Sequence, residues 1–117
     1  MGAFGKVVGA LAGKRLPLEE EKQTQSAIAA ALADAGLHFD REVPISGGII
    51  DFVVTVCVPS APPIRSVRFV HVGIEVKLKG AQAGIIRQIR RYAEEPELDG
   101  IILVTARPVS LDRKSVV

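Results

Sequence analysis

Val72-Gly73-Ile74-Glu75-Val76-Lys77 is the stretch on which the reading of the fold turns. From Phe69 onward the residues alternate: Val70, Val72, Ile74 and Val76 point one way, and Phe69, His71, Gly73, Glu75 and Lys77 the other. A period of two is the signature of a β-strand, and it sets Glu75 and Lys77 side by side on one face. Charges on an otherwise apolar strand are costly to bury unless they pair or bind something. The bland reading is an exposed ion pair at a sheet edge, which contributes little. Asp51 tips the balance against it. It lies in a second β-branched run, Gly47-Gly48-Ile49-Ile50-Asp51-Phe52-Val53-Val54-Thr55-Val56-Cys57-Val58, the composition of a strand.

Between the two runs stands Pro59-Ser60-Ala61-Pro62-Pro63-Ile64-Arg65. Its prolines lack the N–H a ladder requires, so a hairpin is the simple connection. Centred near Pro63, it brings Asp51 opposite Glu75. Two acids and a lysine then converge on one sheet face, the outline of a metal site.

The rest of the chain supplies the frame. With 117 residues it is of single-domain length, burying roughly two-thirds of its unfolded surface. Its 48% hydrophobic and 24% charged residues indicate a globular chain. A lone cysteine, Cys57, excludes an internal disulfide framework and suits a reducing, cytoplasmic setting, phage or mobile-element origin included. No apolar run has the length of a membrane helix, so no membrane partner is expected. A net charge of +2 and a pI near 8.9 permit a nucleic-acid partner without arguing for one.

Residues 1–16 read as a basic, glycine-rich N-terminal arm. Gly9-Ala10-Leu11-Ala12-Gly13-Lys14-Arg15 lacks the glycine spacing and the Ser/Thr of a phosphate loop. Pro17 opens a helix that Gly36 stops. Within it Glu21 lines up with Ile28 and Leu32, aimed at the sheet, while Glu19 and Glu20 are dipole-compensating surface charges. His38 to Ile45 is a short strand with Pro44 marking an edge or bulge, and His38 reads as a cap or surface residue. His71 shares the face of Glu75 but lies roughly 13 Å from it along the strand. A second helix spans about Ala81 to Glu95, with Gln88 and Tyr92 on one face; Arg87 and Arg91 form a like-charged pair, mildly destabilising unless an anion stands near, and the bland alternative pairs Arg90 and Arg91 with Glu94 and Glu95. Gly100 to Ala106 is a buried strand, and residues 107–117 form a polar C-terminal tail.

The order is helix, three strands, helix, strand. Asp51, then Glu75-x-Lys77 after a proline-rich hairpin, with an acidic helix before and Gln88-x-x-x-Tyr92 after, resembles the PD-(D/E)XK nuclease superfamily over residues 17–106. Ile50 stands where the name-giving proline would be. The resemblance implies an α/β fold with a restriction-endonuclease-like αβββαβ core, a mixed central sheet of about four strands flanked by helices. It implies Mg²⁺ (or Mn²⁺) held by Asp51, Glu75 and the Val76 carbonyl, hard oxygen donors of the kind Mg²⁺ prefers. Lys77 would orient the attacking water and stabilise developing charge. Glu21 would act through water or hold a second ion, and Gln88 and Tyr92 would position the lysine or a phosphate oxygen. The implied activity is hydrolysis of DNA to 5′-phosphate and 3′-hydroxyl products, with Lys14, Arg15, Lys79, Arg87 and Arg91 as phosphate contacts. A homodimer is expected, since a two-strand cut needs two sites; Ile101 to Val104, Val116 and Val117 are its candidate contacts. The alternatives are a non-catalytic nucleic-acid-binding module on the same fold and a small oligomeric structural protein.

Overall fold

The computed structural model describes residues 2–60, 66–106 and 115–116. Helices α1 (Ala3–Ala12) and α2 (Glu21–Asp34) precede strands β1 (His38–Ile45), β2 (Gly48–Pro59) and β3 (Val67–Val76). Helix α3 (Gln82–Ala93), strand β4 (Gly100–Val104) and the short β5 (Ser115–Val116) follow. The chain is thus α/β, with a mixed sheet in the order β1-β2-β3-β4-β5. The first three strands pair antiparallel, and β3-β4 and β4-β5 are parallel. The parallel step from β3 to β4 needs a crossover, which α3 supplies.

Alternation along β3 divides the core in two, as its period of two requires. Val70, Val72, Ile74 and Val76 pack with Val7 and Leu11 of α1 and Ile28 and Leu32 of α2. On the other face Ile101 and Leu103 of β4 pack with Ile85, Ile89 and Tyr92 of α3. Glu75 belongs by alternation to this second face. So does Gly73, where a β-carbon would come within 2.5 Å of the Ile50 side chain. Glycine is what lets Ile50 lie across β3.

Three expectations change. The arm of residues 1–16 is, over Ala3–Ala12, a helix whose Ala3, Val7 and Leu11 are buried. Those residues recur at helical spacing, which the glycines between them disguise. Second, α2 starts at Glu21 and not at Pro17. The buried Thr24 hydroxyl bonds the carbonyls of Pro17 and Glu20, folding residues 17–20 back on the first turn, so Glu19 and Glu20 lie outside the helix. Third, Ile101, Ile102 and Leu103 are core, because Ile102 packs on the α1/α2 side and Ile101 and Leu103 on the α3 side of the sheet; this run is no exposed contact surface. Ser115–Val116 forms that strand within the expected polar tail, while Val117 lies outside the described residues.

Candidate metal and phosphate site

The hairpin register is the one its proline-rich centre predicts. Pro59 pairs with Val67 and Phe52 with Ile74, with Ser60 N–H donating to Ser66 O at 2.8 Å. One further step sets Asp51 opposite Glu75. There the backbone ladder gives way to side chains. Asp51 N–H donates to Glu75 Oε1 at 3.1 Å, and Val76 N–H donates to Asp51 Oδ2 at 2.7 Å. Each carboxylate satisfies a backbone donor of the other strand, or next to it, that the ladder leaves open.

The cause is a turn-over of both strands in this row. Phe52 packs in the α1/α2 core, yet Ile50, two residues away, packs in the α3 core. Regular pleating would keep them on one face. On β1 the same happens between Arg41, whose guanidinium lies over the Phe52 ring, and Val43, which pairs with Ile50. Glu42, between them, takes φ 52°, an uncommon conformation for a side chain of this type. Asp51 therefore leaves the sheet plane at the row where β2 changes sides.

Glu75 is 2% exposed. Burial first, and the adjacent Asp51 carboxylate second, push its carboxyl from the ordinary 4.5 up to about 8. The hydrogen bond from Asp51 N–H and the Lys77 charge oppose that rise; Lys77 Nζ stands 4.0 Å from Glu75 Oε2. Such a pair holds either a proton or a cation, since two adjacent carboxylates do not ionise freely in a dry site. The donors suit a hard cation. Among the described residues the backbone N–H bonds to this pair go to Asp51 Oδ2 and Glu75 Oε1, and a small divalent ion that keeps several waters needs few protein oxygens.

An open cleft of about 640 Å³ surrounds the pair, lined by Glu42, Gly47, Gly48, Ile49, Asp51, Glu75, Lys77, Gln88 and Tyr92. Six of the residues named from the sequence meet or border one another here or beside it: Asp51, Glu75, Val76, Lys77, Gln88 and Tyr92. Gln88 Nε2 donates to Tyr92 OH at 2.9 Å, and that hydroxyl donates to Ile49 O at 3.2 Å. Tyr92, 1% exposed, thus pins the start of β2 to α3. Glu21 does aim at the sheet, but its Oε2 accepts Leu78 N–H at 3.2 Å. Among the described residues no group of three or more His, Cys, Asp or Glu side chains is close enough to hold an ion, so Glu21 does not join the pair directly.

Of the expected phosphate contacts, Arg15, Lys79, Arg87 and Arg91 are exposed. Arg91 lies at the cleft rim: a β-carbon on Gly47 would come within 3.0 Å of its Cδ. Lys14 pairs instead with Asp34 at 3.4 Å. His71 is outside the cleft; its Nδ1 stands 3.3 Å from Thr55 Oγ1, and its backbone N–H donates to Asp99 Oδ2 at 2.8 Å. His38 and Cys57 are exposed on β1 and β2.

Four cleft residues escaped the sequence reading as site residues, Glu42, Gly47, Gly48 and Ile49. Pro44 hinted at an irregular strand there, but only the pairing of β1 with β2 carries Glu42 to Asp51. No helix among the described residues is long and apolar enough to cross a membrane. Comparison with protein-family models, with curated proteins and with solved structures finds no match.

Proposed function

We propose that this chain is a metal-dependent nuclease with a restriction-endonuclease-like core, cleaving DNA to 5′-phosphate and 3′-hydroxyl ends. The observation that carries the reading is the reciprocal Asp51–Glu75 arrangement with Lys77 beside it in an open cleft. The order α2-β1-β2-β3-α3-β4 also agrees with the αβββαβ core of that superfamily.

In this reading Asp51, Glu75 and the Val76 carbonyl would hold Mg²⁺ or Mn²⁺, which would neutralise charge on the scissile phosphate and make the attacking water more acidic. Lys77 keeps its ammonium within reach of the same phosphate, donating to the oxygen where charge develops. Val76 N–H fixes the Asp51 carboxylate, and Asp51 N–H fixes that of Glu75, so neither needs to reorganise when the phosphate enters. Glu21 anchors the chain just past Lys77 through Leu78 N–H. Gln88 and Tyr92 hold α3 against the Asp51 strand. Arg87 and Arg91 on α3, with Lys79 before it, contact phosphates on either side of the cut.

The test is cleavage of single-stranded, duplex, flapped and four-way DNA with Mg²⁺, Mn²⁺ and EDTA. Metal-dependent cutting that disappears in Asp51→Asn is expected. Cutting that survives EDTA and this substitution would sink the proposal.

A further inference from the structure

The lip of the cleft carries an exposed apolar pair. Ile49 is 59% exposed and lines the cleft beside Asp51 and Glu75. It pairs directly with Pro44 across the β1-β2 ladder, so the two side chains share a face and stand as cross-strand neighbours. Pro44 is exposed as well. Their sequence neighbours Val43, Ile45 and Ile50 pack instead with the α3 core, so the pair is not a fringe of that core.

The backbone beneath Ile49 is held firmly. Its carbonyl accepts the hydroxyl of the buried Tyr92. Ser46 Oγ donates to Glu95 Oε2, just past the same C-terminal end of α3. Gly48, at φ 146°, leaves room that a β-carbon would take from the Tyr92 hydroxyl at 2.9 Å. A β-branched side chain on such a support is stiff at χ1 and loses little freedom on contact. Isoleucine and proline are among the residues that wedge between base steps and kink a duplex. Stacking on an aromatic face is not offered, because Tyr92, the aromatic residue lining the cleft, is buried.

We propose that Ile49, backed by Pro44, enters the base stack beside the phosphate held at Asp51 and Glu75, making the preferred substrate a duplex opened or kinked at the step being cut. This rests on the nuclease reading above.

Two measurements test it. The first uses Lys77→Ala, to prevent cutting, with a duplex carrying 2-aminopurine at the mapped cleavage step. Its fluorescence should rise on binding with Lys77→Ala and stay flat with Lys77→Ala/Ile49→Ala. The second compares cleavage of a fully paired duplex with one mismatched at that step. Ile49→Ala should lose about tenfold or more on the paired duplex and much less on the mismatched one, where the step is already unstacked. A thermal midpoint close to that of the parent shows that the variant folds. Flat fluorescence with Lys77→Ala, or equal losses on both duplexes, overturns the wedge. A parent that binds the duplex but cuts neither form sinks the nuclease reading; 2-aminopurine moved through successive steps of the bound duplex then reads the wedge alone, which stands if the rise at one step is lost with Ile49→Ala and falls if every step stays flat.

Discussion

Lys77 separates the catalytic reading from a plain ion pair. Lys77→Ala should abolish cleavage in a gel assay while leaving metal and DNA binding largely intact, since in the proposed mechanism the ammonium acts on charge in the transition state. A loss of about a hundredfold or more is the usual result of removing such a group; a variant that cuts as well as the parent would reduce Glu75 and Lys77 to a pair with no catalytic part. Glu75 makes a second, metal-free prediction. Its folded pKa of about 8 lies above the ordinary 4.5. The stability it contributes is therefore fully present below 4.5 and is lost as pH rises through about 8. Without metal, the thermal midpoint of the parent should fall over that window, and Glu75→Gln should flatten the fall. Mg²⁺ added near the upper end should restore the parent and not the variant, because the cation takes the place of the proton. A parallel pH profile for the two proteins would show that Glu75 is not strained.

Helix α3 and the start of β2 act together through Tyr92. Its hydroxyl serves both the Ile49 carbonyl and the Gln88 amide, in a setting where an unmet polar group is costly. Tyr92→Phe should cost about 1–2 kcal/mol in denaturant unfolding. It should also weaken metal binding, read by isothermal titration, because Asp51 lies two residues past the pinned carbonyl. Unchanged metal affinity with lowered stability would confine Tyr92 to packing. Register and periodicity were legible in these elements. The prolines centred the hairpin, and β-branched alternation marked its strands, so Asp51 could be set opposite Glu75 from spacing alone. The turn-over at Glu42 and Asp51 was not legible, because it follows from how β1 twists against β2 while Phe52 and Ile50 seek different cores.

In the molecule taken whole, α1 is part of the structure and not an appendage. Val7→Ala should destabilise by roughly 2 kcal/mol, as loss of a fully buried side chain does, whereas the exposed Lys6→Ala should change stability by less than about 0.5 kcal/mol. Equal, negligible effects in a urea titration would return residues 1–16 to the status of an arm. Binding to DNA should weaken steeply with salt, and Arg87→Ala and Arg91→Ala should each lower the slope of log K against log salt by about one. Lys14→Ala should do less, since Asp34 already engages that lysine.

Local periodicity and donor chemistry alone determined the element order from α2 to β4, the hairpin register and the convergence of Asp51, Glu75 and Lys77. These depend on spacing along one or two neighbouring segments. The burial of α1, the role of Thr24 in delaying the start of α2, the engagement of Glu21 with Leu78 N–H, and the cleft positions of Glu42 and Ile49 were decided only in three dimensions. Each depends on what a segment packs against across the sheet, and no period within that segment records its partner.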